Sequence, residues 1–245
     1  MPQPLSGRRA TVTSMTDETL ATLLDRNAAH VAAIDEGAFD AVQDGQRPPV
    51  VSVCCSDSRV SQERMFDVEE PGWLFTPSNV GNRAWRDVDG ERVVDGNLLY
   101  PVAHTGTRTI AVVGHTGCGA VTAAYRAATG AIDLADEHPG IAHEVRPLVP
   151  VVDEALETTD VEGLGEAAVV NRLVEQNVDR QVAFLRDADG VPGDAAIYGF
   201  VYDLHGVYGD RGRTVVVNVE GDTRIAALRD RVPAARTDAV GRLVR

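Results

Sequence analysis

Two short motifs contain side chains that are suited to binding a metal ion. The first reads Cys-Ser-Asp-Ser-Arg from Cys55 to Arg59, and the second reads His-Thr-Gly-Cys from His115 to Cys118. Together they supply two thiols and one imidazole, a ligand set that suits zinc. Residues two apart in an extended segment point to the same side, so Cys55, Asp57 and Arg59 are expected to face one spot. The two motifs therefore predict a reactive metal centre.

The segments that carry these motifs predict an α/β fold with a mainly parallel central sheet flanked by helices. Apolar, β-branched runs predict strands at residues 49–54, 74–76, 109–114, 195–202 and 214–219. Apolar residues at helical spacing predict helices at residues 16–34, 96–103, 120–128 and 168–185. Residues 129–165 are acidic and irregular in pattern, which predicts a helical excursion on the surface.

The order of these elements places both motifs at one edge of the sheet. Carboxyl ends of parallel strands meet at a common edge, and ligands gather there. Cys55 follows the strand predicted at residues 49–54, and His115 follows the strand predicted at residues 109–114. His115 and Cys118 are three residues apart at the start of a predicted helix, a spacing that shares one face. We therefore expect the three ligands to meet.

Zinc bound by Cys55, His115 and Cys118 would form a neutral centre with a fourth position open, which is typical of a catalytic site. A water at such a position loses its proton near neutral pH. Asp57 could accept a hydrogen bond from that water, and Arg59 could hold Asp57 ionised through a bidentate contact. Alternatively, Asp57 itself occupies the fourth position in a closed, inactive state. A purely structural zinc site is a further alternative, but it would leave Arg59 unexplained.

The composition narrows the class of protein and of partner. The chain has 245 residues and a net charge of −14, so we predict one domain over residues 1–245, with residues 1–35 as an N-terminal arm and helix. The negative charge argues against nucleic acid or an anionic membrane as partner. All 23 basic residues are arginine. An acidic chain without lysine indicates a halophilic protein, since molar salt screens the excess carboxylates; codon bias in a GC-rich genome is the alternative.

The cysteines and the N-terminus favour a cytoplasmic protein. Three cysteines, two of them adjacent, do not form a disulfide framework. Cys54 lies on the opposite strand face from Cys55 and is expected to pack as a small buried apolar residue. Residues 1–18 lack the apolar core of a secretory signal, and the apolar runs are too short to span a membrane.

The motifs resemble those of the β-class carbonic anhydrases, and the likeness extends over about residues 40–220. The matching segments are Cys55–Arg59, Ser78–Asn82, Gly114–Ala120, Asn177–Leu185 and Tyr198–Leu204. This resemblance implies the β-class α/β fold and one Zn²⁺ per chain. It also implies a carbonate dehydratase activity, the reversible hydration of carbon dioxide to bicarbonate and a proton.

The resemblance also implies a substrate pocket and an assembly. Gln46 matches a glutamine that hydrogen-bonds substrate oxygen across a dimer interface. Phe75 and Tyr100 match aromatic residues that line an apolar carbon dioxide pocket, and Gly119 is placed beside the same pocket. Alternatively, Gln46 is a solvated loop residue and the two aromatic residues belong to the core. Family members form homodimers, often tetramers, in which the N-terminal helices embrace the partner.

Two positions depart from the family pattern and leave other functions open. Ser78 stands where the family often has arginine, and Gly117 stands where some members have aspartate. Neither change removes a metal ligand. One alternative function is a zinc hydrolase of carbon disulfide or carbonyl sulfide on the same scaffold. Another is a noncatalytic zinc-binding module. Of the remaining histidines, His205 is the candidate for a proton-shuttle or anion-site residue.

Overall fold

The computed structural model describes the backbone of residues 8–244 and the side chains of residues 17–244. The chain divides into two compact units, Met1–Asp44 and Gly45–Arg245. The first unit contains helix α1 (Arg8–Ala33), whose apolar residues Leu20, Leu23, Leu24 and Val31 are exposed. A helix start at residue 16 was wrong, because residues 8–33 contain no glycine or proline that would end the helix. The rest of the predicted arm, residues 1–7, lies outside the described residues.

The second unit is built on a mixed sheet in which most strands are parallel. Its strands are β1 (Val50–Cys55), β2 (Leu74–Phe75), β3 (Ser78–Asn79), β6 (Thr109–His115), β7 (Ala196–Tyr202) and β8 (Thr214–Val219). The sheet order is β2-β1-β6-β7-β8, and β3 pairs with β1 beyond β2. Strands β1, β6 and β7 run parallel, whereas β8 is antiparallel to β7. The predicted mainly parallel sheet is confirmed.

A separate hairpin follows β3 and was not predicted. It consists of β4 (Trp85–Val88) and β5 (Glu91–Val94), which pair only with each other among the described strands. Asp89 and Gly90 join them, both with positive φ, as a two-residue hairpin turn requires. An Asp-Gly pair is a strong hairpin signal, so this element was readable from the sequence.

Helices cover the sheet. They are α2 (Gln62–Met65), α3 (Gly96–His104), α4 (Gly119–Ala128), α5 (Pro139–Val145), α6 (Val149–Thr158), α7 (Glu166–Asp187) and α8 (Ile225–Arg231). The helical excursion predicted at residues 129–165 exists as α5 and α6. Its placement on the surface was wrong in part, because Val145, Leu148 and Val152 are buried in the main core. Within residues 8–244, no helix is both long and apolar enough to cross a membrane.

Helix α7 packs directly on the strands that end at the predicted site. Two glycines make this close approach possible. A Cβ on Gly114 of β6 would lie 2.9 Å from Val178, and a Cβ on Gly199 of β7 would lie 2.7 Å from the same side chain. Real Cβ atoms do not approach so closely, so these two positions need glycine. Strand β6 is thereby held at a fixed depth beneath α7.

Candidate metal centre

The structure brings Cys55, His115 and Cys118 together at the carboxyl edge of the sheet. Cys55 is the last residue of β1, His115 is the last residue of β6, and Cys118 caps the start of α4. One ligand atom from each lies within 4.8 Å of the others, and all three side chains are buried. None of the three cysteines, all within the described part of the chain, forms a disulfide.

The two sulfurs have the spacing of zinc ligands. Cys55 Sγ and Cys118 Sγ are 3.7 Å apart. Two sulfurs that each lie 2.3 Å from a tetrahedral zinc ion would be about 3.8 Å apart. This arrangement of two thiols and an imidazole fits a borderline-soft divalent cation such as zinc.

His115 presents a free nitrogen to the two sulfurs. Its Nδ1 lies 3.1 Å from the carbonyl oxygen of Thr116. A carbonyl can only accept a hydrogen bond, so Nδ1 carries the proton and Nε2 keeps its lone pair. Nε2 is fully buried and has no hydrogen-bond partner. A buried ring nitrogen without a partner is costly unless it binds a cation.

The buried sulfurs influence each other's protonation. The hydrogen bond from Cys118 lowers the pKa of Cys55, and His115 and the N–H of Gly81 contribute in the same direction. The same hydrogen bond, together with burial, raises the pKa of Cys118 well above its usual value. Two thiols this close therefore share one proton until a cation allows both to ionise.

Asp57 is held beside the ligand group by Arg59. The guanidinium of Arg59 donates to both carboxylate oxygens, from Nε to Oδ1 at 2.9 Å and from Nη2 to Oδ2 at 2.7 Å. The backbone N–H of Arg59 also donates to Oδ1 at 2.9 Å. These side-chain hydrogen bonds hold the pKa of Asp57 well below its usual range. Asp57 Oδ2 is 3.7 Å from His115 Nε2. This is the arrangement expected when Asp57 is not itself a ligand.

The turn between His115 and Cys118 depends on Gly117. Its φ is +65°, and its N–H donates to Asn171 Oδ1 of α7 at 2.9 Å. The ring of His205 covers its other side, since a Cβ on Gly117 would lie 2.6 Å from His205 Cε1. Any side chain at this position would have to displace the imidazole of His205, which occupies that space.

The sequence alone did not reveal two residues that hold this turn. Asn171 lies within an amphipathic helix, and nothing in the sequence marks it as a contact of the turn. Asp203 directly follows β7, and its position at the carboxyl edge of the sheet could have identified it as a residue near the site. Burial alone would raise the pKa of Asp203. The backbone N–H groups of Tyr208 and its neighbours donate hydrogen bonds to the carboxylate and lower the pKa below its usual value. Asp203 is thus a fully buried carboxylate that remains ionised.

The predicted pocket residues do not join the three ligands within one chain. Gln46 and Phe75 line a cleft of about 520 Å³, and the rings of Phe75 and Tyr100 stack at 6.4 Å. Phe75 pairs with Val51 near the start of β1. Cys55 is four residues further along, about 13 Å away at the usual rise of a strand. Gly119, in contrast, is exposed directly after Cys118, with open space above its Cα.

Ser78 makes a neutral contact. Its hydroxyl oxygen accepts a hydrogen bond from Gln62 Nε2 at 3.0 Å, and the same amide donates to the carbonyl of Pro77 at 3.1 Å. Gln62 is buried. The segment that follows β2 is therefore anchored by uncharged hydrogen bonds.

Comparison with known proteins identifies the family. A family model described as carbonic anhydrase matches residues 50–208. The chain belongs to the carbonic anhydrase family. A carbonic anhydrase from Pseudomonas aeruginosa is 32% identical over 171 residues, which cover 68% of this chain and 74% of that protein. A carbonic anhydrase from Emericella nidulans is 29% identical over 214 residues, or 83% of this chain and 87% of that protein.

Solved structures of β-carbonic anhydrases share the fold. One of two tetrameric enzymes from Sordaria macrospora gives a TM-score of 0.65 at 21% identity, covering 83% of this chain and 97% of that chain. A Coccomyxa enzyme in complex with acetazolamide gives a TM-score of 0.63 at 24% identity, covering 89% and 95%. The predicted β-class fold and the membership of this enzyme family are confirmed.

Substituting Gly117 by alanine should destabilise the protein more than the same change at a glycine in open space. Gly130 has φ +72° and nothing within 4 Å of a built Cβ, so Gly130→Ala tests the backbone penalty alone, about 1–2 kcal/mol. Gly117→Ala adds an overlap with the ring of His205, which can turn away only by giving up its hydrogen bond with Thr116, so the loss in the free energy of unfolding should be about 0.5–1.5 kcal/mol larger. Urea denaturation of both metal-free variants measures the difference. Equal losses would contradict the close packing of His205 on this turn.

Proposed function

We propose that this chain is a zinc-dependent carbonic anhydrase that catalyses the reversible hydration of carbon dioxide to bicarbonate and a proton. The observation that carries this proposal is the buried convergence of Cys55, His115 and Cys118 beside an ionised Asp57. The three residues would hold Zn²⁺ as one nitrogen and two sulfur ligands. Zinc with three protein ligands leaves one position for water and lowers the pKa of that water toward neutrality.

Asp57 and Arg59 supply the orientation that the reaction needs. An ionised carboxylate can only accept hydrogen bonds, so Asp57 directs the O–H of the attacking water and leaves a lone pair facing the substrate. Arg59 uses three of its donors on Asp57 and would thereby keep the carboxylate off the metal. In that conformation the fourth position would be free for water. Closure of the site by Asp57 is the alternative, and it would require Asp57 to leave Arg59.

Removing the metal or a ligand should abolish carbon dioxide hydration. Treatment with a zinc chelator should reduce the rate measured by stopped flow to that of buffer, and added Zn²⁺ should restore it. Cys55→Ala should lower the rate more than about a hundredfold, because the metal loses a first ligand. Cys54→Ala is the matched control: Cys54 is an adjacent, fully buried thiol outside the ligand group. It should retain activity within a few-fold of the wild type.

The same preparations distinguish the alternative functions. Hydrolysis of carbon disulfide or carbonyl sulfide without hydration of carbon dioxide would replace the proposed substrate. A folded, zinc-loaded protein that turns over none of these molecules would leave a noncatalytic zinc-binding module, and would refute the proposed activity.

We further propose that the active site is completed by a second copy of the chain. The support is the separation along β1 between Cys55 and Phe75, which pairs with Val51 near the other end of the strand. Gln46 and Phe75 line one cleft, which extends to Ser78 beside Cys54. In a homodimer, Gln46 of one copy would steady the oxygen of substrate beside the metal of the other. Phe75 and Tyr100 would form the apolar wall there, since carbon dioxide is nonpolar. A tetramer would contain two such pairs.

Mixing two inactive variants tests this composite site. Cys55→Ala disables the metal ligands of its own copy, and Gln46→Ala disables the residue that the copy would contribute to its partner. Random pairing gives half heterodimers, each with one intact site, so a one-to-one mixture refolded together should regain about a quarter of wild-type activity. Each variant refolded alone is the control. A mixture no more active than the controls would show that the site is not shared.

Two predictions from the sequence accompany this proposal. Activity in molar salt is predicted because the chain is acidic and lacks lysine. Location in the cytoplasm is predicted from the cysteines and the N-terminal residues. Both stay predictions.

A further inference from the structure

The hydroxyl of Thr116 is held by three groups from the loop that follows β7. Its Oγ1 accepts from the N–H of Leu204 at 2.9 Å, lies 2.9 Å from His205 Nδ1 and lies 3.3 Å from Asp203 Oδ1. A hydroxyl has one proton and two lone pairs. All three contacts are satisfied at once when Thr116 donates to Asp203 and accepts from Leu204 and from a protonated Nδ1 of His205. We call this group of four residues the Thr116 clamp.

The same residue orients a proposed metal ligand. The carbonyl oxygen of Thr116 accepts the hydrogen bond from His115 Nδ1 at 3.1 Å. The N–H of Thr116 donates to the carbonyl of Tyr202 at 3.0 Å, which extends the pairing of β6 with β7. The sheet therefore fixes the peptide that precedes Thr116, and the clamp fixes the Thr116 side chain. Asn171 fixes the following peptide, which contains the carbonyl, through the N–H of Gly117. Any rotation of this residue would turn the carbonyl away from the imidazole.

The far end of the clamp is rigid. Asp203 is fully buried, and its carboxylate accepts N–H groups from Gly206 at 2.9 Å and from Tyr208 at 2.7 Å. Thr116 is also fully buried. A buried carboxylate with this many donors cannot shift without leaving several of them unpaired. The anchor that receives the Thr116 hydroxyl is thus fixed in place.

We propose that the Thr116 clamp positions His115 and thereby sets the affinity of the site for zinc. This inference rests on the proposed zinc site. Groups that orient a metal-bound imidazole through its second nitrogen typically change metal affinity by about 10- to 100-fold. Here the orienting group is a backbone carbonyl, so the sequence tunes it through the side chains that hold this turn. Thr116 acts through its hydroxyl, and Asn171 acts through the N–H of Gly117, which shares a peptide group with the carbonyl. Thr116 and Asp203 are positioning residues in this account, because neither reaches the reacting atoms.

Removal of the hydroxyl is the direct test. Thr116→Val removes the hydroxyl at nearly constant shape, whereas Thr116→Ser keeps it. Competition with a chromophoric chelator measures Zn²⁺ affinity, and the visible spectrum of the Co²⁺-loaded protein reports the geometry of its ligands. Thr116→Val should bind Zn²⁺ at least about tenfold more weakly and alter the Co²⁺ spectrum. Thr116→Ser should lie within about threefold of the wild type.

Thr107→Val is the matched control for a structural effect. Thr107 is a buried threonine just before β6, and its hydroxyl bonds the carbonyl of Pro48 at 2.8 Å. Its loss should lower the thermal stability of the metal-free protein without changing Zn²⁺ affinity. If Thr116→Val lowers stability to the same extent as Thr107→Val and leaves Zn²⁺ affinity unchanged, the proposed positioning role is wrong.

His205→Ala provides a test that cannot disrupt the core, because His205 is exposed. It removes one partner of the hydroxyl and should weaken Zn²⁺ binding about three- to tenfold. Should Thr116→Val fail to fold, an unchanged affinity in His205→Ala would overturn the inference. A wild-type protein that holds no zinc would instead overturn the proposed function itself. The two failures are therefore distinguishable.

Discussion

Two buried sulfurs 3.7 Å apart impose the constraint on which the rest of the site depends. In the absence of a cation, burial and mutual repulsion allow the pair only one negative charge. A divalent cation removes that restriction, because it compensates both thiolates and also accepts the lone pair of His115 Nε2. The unpartnered nitrogen and the shared proton are thus two consequences of one arrangement. Both raise the free energy of the folded, metal-free protein, and metal binding relieves both.

The fold maintains this arrangement from several directions. Parallel pairing of β1 with β6 brings the strand ends together, and Gly114 lets α7 press directly on β6. Asn171 of α7 then holds the turn at Gly117, while the loop after β7 holds Thr116. The ligands themselves are few, but the contacts that fix their angles come from four separate parts of the chain. Sites of this kind lose metal affinity when an outer contact is removed, even with every ligand intact.

Much of this site follows from local sequence, and the part that does not has a physical explanation. The rule that parallel strands share a carboxyl edge was sufficient to bring Cys55 and His115 together. No comparable rule gives the position of Gln46 relative to that edge, because Gln46 lies in the loop before β1 and outside any helix or strand. Asp203 and Asn171 were missed since a polar residue beside a strand or on a helix has many possible partners. The β4–β5 hairpin was missed despite its Asp89-Gly90 signal, because its two strands are only four residues long and do not alternate strictly between polar and apolar residues.

The proposed zinc site has a specific coordination sphere, and X-ray absorption at the zinc edge measures it directly. Purified protein with one Zn²⁺ per chain should show two sulfur scatterers at about 2.3 Å and lighter nitrogen or oxygen scatterers at about 2.0–2.1 Å. One sulfur or none, or a sphere made of nitrogen and oxygen alone, would contradict the assignment of Cys55 and Cys118 as joint ligands.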